Sequence, residues 1–213
     1  DSISIAQQVA SQLNIPFHIV DVRQAHKEIV VDQFINDYAQ GSTPNPCPFC
    51  NRLLRWELLL KHAQFYNASF VSTGHYARIK QEQNTVRLLV AKDPVKDQSY
   101  ALHLLNQFHL SHTLLPLGEL TKKEVRQIAR ERGLISADRS DSQDLCFLGS
   151  EDYRTFLVRH APQIKTPGPI LTRDGKIIGS HDGLAFFTIG QRKGLGISNN
   201  EPLYVIEKNR EQN

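Results

Sequence analysis

From Ser2 to Leu13 the apolar residues Ile5, Val9 and Leu13 recur at helical spacing, and Asn14-Ile15-Pro16 stops the pattern. The chain is therefore predicted to open with a helix over 2–13, followed by a strand from Phe17 to Val22. A second helix is predicted over about 25–40, carrying Ile29, Val30, Phe34, Ile35 and Tyr38 and ended by Gly41. A third, over about 51–66, places Leu54, Leu58 and His62 or Ala63 on its inner side. It leads into a short buried strand over 69–73 that delivers Gly74 and His75. Tyr76 to Lys80 and Thr85 to Val90 flank a polar turn and predict a hairpin. Thr121-Lys122-Lys123-Glu124 is a capping box, so a helix follows to about Arg132 and Gly133 supplies its left-handed stop. Ser150-Glu151-Asp152 caps a short helix that reaches about His160.

Beyond Pro162 the texture changes. Pro-Gly pairs and short β-like runs (Ile170 to Thr172, Lys176 to Ile178, Ala185 to Ile189, Leu203 to Ile206) predict a small, mostly β domain. The alternation of helix and strand before it predicts an α/β unit with a parallel sheet. The expected division is 1–149 and 150–213. In such sheets ligands sit beyond the carboxyl ends of the strands, where Gly74 and His75 stand.

Composition narrows the class. With 213 residues, 40% of them hydrophobic, the chain can bury a core of one or two domains. No apolar run approaches the roughly 18 residues that span a bilayer, and the first residues carry no basic stretch followed by an apolar one. A cytoplasmic protein with no membrane partner is expected. Three cysteines are too few for the disulfide framework of a small secreted domain, which points to a reducing compartment. A formal net charge of +3 permits a nucleic-acid partner without demanding one. There is no methionine and the chain begins inside a helix, so it is expected to be a piece of something longer.

The sulfur is unevenly placed. Cys47 and Cys50 lie in Thr43-Pro44-Asn45-Pro46-Cys47-Pro48-Phe49-Cys50-Asn51, and Cys146 lies in Ser142-Gln143-Asp144-Leu145-Cys146-Phe147. The prolines from position 44 to 48 are expected to hold the backbone extended and rigid, so that both thiols face one site. Such a pair serves a metal, an iron–sulfur cluster or redox exchange alike. A tetrathiolate zinc is impossible within this chain, because it has only three cysteines.

Three other segments offer polar chemistry. Gly74-His75-Tyr76-Ala77-Arg78 follows a strand, where glycine permits close backbone approach to a ligand and His and Arg offer donors to phosphate or base. Lys96-Asp97-Gln98-Ser99-Tyr100 reads on spacing alone as a helix cap. Gly190-Gln191-Arg192-Lys193-Gly194-Leu195-Gly196 is a glycine-rich basic loop whose amides and cations suit phosphates, or equally a solvated turn. Lys122, Lys123, Arg126 and Arg130 form a solvated helix face that nucleic acid could use.

These segments, with Pro116-Leu117-Gly118-Glu119-Leu120-Thr121-Lys122, occur in one order, and that order resembles the bacterial tRNA-specific 2-thiouridylases from about Asp1 to Lys208. The resemblance implies a PP-loop ATPase-like (adenine nucleotide α-hydrolase-like) α/β domain lacking its N-terminal part, then a small mostly β central domain leading towards an absent C-terminal β-barrel. It implies that ATP, with Mg2+, activates the C2 oxygen of a wobble uridine in tRNA as an adenylate, and that sulfur replaces the oxygen. Carried over by position, Cys50 resembles the thiol near the target base and Cys146 the one that receives persulfide sulfur. Asn45, Pro46 and Cys47 fall at positions against that base. Gly74 resembles a residue contacting ATP, and His75, Lys96, Asp97 and Gln98 resemble positions contacting tRNA, with Arg192 and Lys193 beside them. The partners so implied are tRNA and a sulfur-donor protein, a persulfide relay or a cysteine desulfurase, acting on a monomer.

The chain departs from the family twice. The Ser-Gly-Gly-x-Asp-Ser loop that grips pyrophosphate is absent, so this polypeptide is expected to be inactive alone. Cys47 stands where many members carry aspartate, and with Cys50 and Cys146 it completes a set of three that predicts a [4Fe–4S] cluster. A persulfide route through Cys50 and Cys146, leaving a disulfide between them, is the rival. A reading of another class is a non-catalytic tRNA-binding module with structural metal at the cysteines.

Overall fold

The computed structural model describes residues 2–139, 145–211 and 213. They form two compact units, Asp1–Ile29 with Cys47–Asp141 and Val30–Pro46 with Ser142–Asn213.

The first unit opens with helix α1 (Ser2–Gln12), near the predicted span. Residues 15–22 follow without strand structure, contrary to the expectation for Phe17 to Val22. A strand needs a ladder, and the apolar side chains here stay in water: Ile15, Ile19 and Val20 are all exposed. Helix α2 (Arg23–His26) passes into a π-helical stretch, Lys27–Val31, and then into α3 (Asp32–Ala39). The short strand predicted before Gly74 is present as β1 (Val71–Ser72), paired in parallel with β4 (Thr113–Leu114). Its partner went unpredicted because two residues carry no periodicity. Strands β2 (Arg78–Glu82) and β3 (Thr85–Leu89) form the predicted antiparallel hairpin, with Arg78 opposite Leu89.

Trp56, Val71, Ala77, Val86, Leu102, Leu105 and Leu110 make the core of this unit. Trp56 is fully buried, and its Nε1 donates to Thr113 Oγ1 at 2.7 Å, which joins the cysteine-bearing helix to β4. Asn106 caps α6 (Gln107–Ser111), and the predicted capping box opens α7 (Lys122–Glu131), with Thr121 as N-cap and Gly133 at φ +62° beyond its end.

The second unit is built around Phe34, Tyr38, Phe156, Leu157 and Phe186. Asp152 caps α8 (Tyr153–His160) by accepting from Arg154 N and Thr155 N. Strands β5 (Gly168–Leu171) and β6 (Ile177–His181) pair antiparallel. The run Ala185 to Ile189 is not a strand; Leu184–Phe186 forms a 3-10 turn whose Ala185 and Phe186 enter the core. Leu203 to Ile206 is not a strand either, although Val205 bonds Gly190 and Gln191 through its backbone.

Candidate functional site

The prolines around the cysteines start a helix instead of holding the chain extended. Helix α4 (Pro46–Phe49) passes directly into a π-helical stretch, Cys50–Arg55, and then into α5 (Trp56–Phe65). Proline lacks only an N–H that a first helical turn leaves unpaired, so Pro46 and Pro48 cost nothing there. Cys47 and Cys50 are thus separated by one helical step of three residues, the spacing that brings side chains to one face. Both are half-buried, and none of the three cysteines is disulfide-bonded.

Asn51 is 5% exposed, and its Nδ2 donates to the carbonyl of Ala101 at 2.9 Å. Ala101 closes the 3-10 turn Ser99–Ala101, whose N-cap is Gln98, so Lys96 to Tyr100 caps a short turn, as its spacing suggests, and that turn is bonded to the cysteine helix. Gln98 links that loop to the next one: its N–H donates to Tyr76 O at 2.7 Å, and its Oε1 accepts from Tyr76 N at 3.0 Å. Asp97 accepts from Ala91 N and from Ser99 Oγ, each at 2.7 Å. Burial raises its pKa, but these hydrogen bonds outweigh burial and hold the carboxyl below its ordinary range. Asp97 and Gln98 therefore build the loop, and Lys96 stands half-buried beside them.

His75 lies against Trp56, ring centres 5.6 Å apart, and its Nδ1 is 2.8 Å from Thr73 Oγ1. Burial, and after it the charge of Arg55, push its pKa down to about 4, so the imidazole is neutral at pH 7. Gly74 is exposed after β1, and a Cβ there would meet only Leu117 at an ordinary 3.7 Å. Packing thus does not require glycine at this position. Cys47, Cys50, Gly74, His75, Lys96, Asp97 and Gln98 all belong to one unit, whose segments here are linked by the Asn51–Ala101, Tyr76–Gln98 and Trp56–His75 contacts.

Asn45, Pro46, Cys146, Arg192 and Lys193 belong to the other unit. Thr43 Oγ1 lies 3.0 Å from Thr188 Oγ1, which fixes the approach to Asn45. Cys146 is exposed, while its neighbour Phe147 packs edge-on against Phe34 at 5.1 Å. The Ser142-Gln143-Asp144 part of its motif lies outside the described residues. Arg192 and Lys193 are exposed on a loop closed at its neck by Gly190 N to Val205 O (2.7 Å) and Val205 N to Gln191 O (3.0 Å). An open concavity of about 580 Å³ runs along this loop, lined by Arg192, Ser198, Asn199 and Glu201 among others.

Among the described residues no group of three or more His, Cys, Asp or Glu side chains is arranged to hold a metal ion. Cys47 and Cys50 lie in one unit and Cys146 in the other, so neither unit supplies three thiolates. The expected [4Fe–4S] set on Cys47, Cys50 and Cys146, and the structural-metal alternative, thus find no support among the described residues.

Residues 1–150 match the model of the tRNA methyl transferase HUP domain, and residues 154–213 match that of the tRNA methyl transferase PRC-barrel domain. The chain belongs to this family. Its curated relatives include the tRNA-specific 2-thiouridylase MnmA of Geotalea uraniireducens, 46% identical over 97% of this chain and 55% of the relative. Those of Natranaerobius thermophilus (44% identical, 98% of this chain, 57% of the relative) and Clostridium perfringens (40%, 98% and 58%) carry the same name. The chain therefore spans a little over half the length of these relatives. The HUP match agrees with the expected α/β domain, and the PRC-barrel match falls where a small, mostly β domain was expected. No helix among the described residues is long and apolar enough to cross a membrane.

Two contributors were missed in the sequence. Asn51 precedes Leu54 and Leu58 by three and seven residues, so a polar residue stood on the apolar stripe, and that was its signal. Arg55, whose charge acts on His75 and on His26, gave none.

Proposed function

We propose that this chain is the sulfur-transfer portion of a tRNA-specific 2-thiouridylase, with Cys50 at the target base and Cys146 as the sulfur carrier. The observation that carries this reading is the placement of Cys50 at the head of a π-helical stretch whose next residue, Asn51, is locked to the Lys96 to Tyr100 loop. π-Helical turns cluster at functional sites. The residue after Cys50 is thereby bonded to the loop that follows Lys96, and Trp56 of the same helical run lies against His75. The name shared by the relatives supplies the substrate class.

The chemistry follows from the groups. ATP converts the C2 oxygen of the wobble uridine into an adenylate, a good leaving group, and Gly74 is the residue of this chain assigned to ATP, with Mg2+ accompanying the nucleotide. The terminal sulfur of a Cys146 persulfide, charged by a sulfur-donor protein, attacks C2 and AMP leaves. The Cys50 thiolate then attacks the Cys146 sulfur, the sulfur–sulfur bond breaks, and 2-thiouridine departs. A Cys50–Cys146 disulfide remains, so the two cysteines supply the two electrons, and an external thiol resets them. His75, neutral at pH 7, lends shape and hydrogen bonding rather than charge. Arg192 and Lys193 meet tRNA phosphate. We assign the enzyme to the cytoplasm and to a monomeric state.

The test uses the complete protein, unmodified tRNA transcript, ATP with Mg2+ and a persulfide donor. Formation of 2-thiouridine, detected by mass spectrometry of digested tRNA, with Cys146 recovered as persulfide before tRNA is added, supports the reading. Normal thiolation by a Cys50→Ser enzyme overturns it.

A further inference from the structure

We propose that Asn51 is a positioning residue for Cys50, an assignment that rests on the sulfur-transfer reading above. Asn51 is joined to its surroundings twice. Its main-chain carbonyl accepts from the N–H of Trp56, five residues on, which is the bond that makes this stretch π-helical. Its side chain, buried to 5% exposure, donates to Ala101 at 2.9 Å. One residue thus connects three things: the widened turn that Cys50 opens, the fully buried Trp56 at the turn's far end, and the loop holding Gln98 and Asp97.

The physical argument runs through the turn. A π-helical turn has poorer geometry than an α-turn and persists where surrounding structure holds it. Trp56 fixes one end, because its indole is buried and bonded to Thr113. The other end needs a second tie, or the turn relaxes to α-geometry and rotates the residues before it. The Asn51 amide is that tie. A buried amide would not be retained on an apolar stripe for packing alone, since an unbonded polar group there costs about 1–3 kcal/mol. Rotation at residue 51 carries Cys50 with it, and misplacement of a reacting group by about 1 Å costs about 10²-fold in rate.

The experiment compares Asn51→Leu, Asn51→Asp and Asn51→Gln. Leucine keeps the branching and loses the donor, aspartate keeps the shape and offers an acceptor where a donor is needed, and glutamine keeps a donor. Cys47 and Cys50 lie between Lys27 and Arg52 with no lysine or arginine in between, so one tryptic peptide reports both thiols. Iodoacetamide labelling of the 213-residue chain gives the ratio of Cys50 to Cys47 modification. The expected result is a change of about tenfold in that ratio for the leucine and aspartate variants, with glutamine nearer the unsubstituted chain. In the complete enzyme, single-turnover thiolation falls about 10²-fold while adenylate formation and tRNA affinity hold. A merely structural role would raise the labelling of both thiols together and leave the ratio constant; that result, or normal thiolation by the leucine and aspartate variants, overturns the proposal. If the unsubstituted complete enzyme makes no 2-thiouridine, the functional reading fails, and the labelling ratio still decides what Asn51 does.

Discussion

The imidazole of His75 rests against the indole of Trp56 at 5.6 Å, with the ring planes tilted by 41°. This contact ties the loop after β1 to the helix that carries the cysteines, and it shields one side of His75 from water.

A neutral, half-buried His75 makes stability pH-dependent. Its folded pKa, about 4, lies below the ordinary histidine value of 6.5. Between those values the unfolded chain binds the extra proton, so stability is fully present above about pH 6.5 and falls as pH drops towards 4. His26, His109 and His181 are also depressed, chiefly by burial, and add with the same sign. Thermal melts from pH 7.5 to 4.5 should show Tm falling below pH 6.5. His75→Gln should flatten that slope, and an unchanged slope would contradict the burial argument.

Gly118 touches the backbone of Ala77 so closely that a Cβ would lie 2.0 Å from the Ala77 carbonyl oxygen. Neither backbone can move aside as a flexible side chain could. Gly118 O also accepts from Lys92 N at 2.9 Å, which joins three segments of the first unit. Gly118→Ala is expected to destabilise by at least about 2 kcal/mol in chemical denaturation. Gly74→Ala, where space is open, should unfold like the original and, in the complete enzyme, raise the KM for ATP.

On the proposed persulfide route the thiols have separable roles. In the complete enzyme Cys50→Ser and Cys146→Ser should each abolish 2-thiouridine while adenylate formation stays measurable by release of pyrophosphate. Cys47→Asp should retain thiolation, because the persulfide route makes no use of that sulfur; loss of thiolation in that variant would assign Cys47 a role in the chemistry.

Arg192 and Lys193 stand exposed on the closed loop of the second unit. If they contact phosphate, Arg192→Ala and Lys193→Ala should each weaken tRNA binding across tRNA sequences. Each should also lower the slope of log affinity against log salt by about 1. Titrations at several salt concentrations read this directly, and an unchanged slope would remove both residues from the interface.

Much of this was legible in one dimension. Local rules gave the helices of residues 2–12 and 122–131, the hairpin from Arg78 to Leu89 and the Asp152 cap, because periodicity and capping chemistry act over a few residues. Motif order, too, is a property of the chain alone, and it pointed to the family. Tertiary structure decided the rest. The run Phe17 to Val22 has strand-forming residues yet no ladder, since pairing needs a neighbour that propensity cannot supply. The prolines at 46 and 48 suit an extended chain or a first helical turn equally, and the buried tie of Asn51 to Ala101, fifty residues away, belongs to the helical choice. Lys96 to Gln98 stood in the motif as polar groups, and only the folded chain shows that Asp97 and Gln98 also build their loop through hydrogen bonds to Ala91 and Tyr76. Sequence thus determined which groups the protein carries and in what order, whereas their burial and mutual bonds depended on long-range contacts that no local pattern encodes.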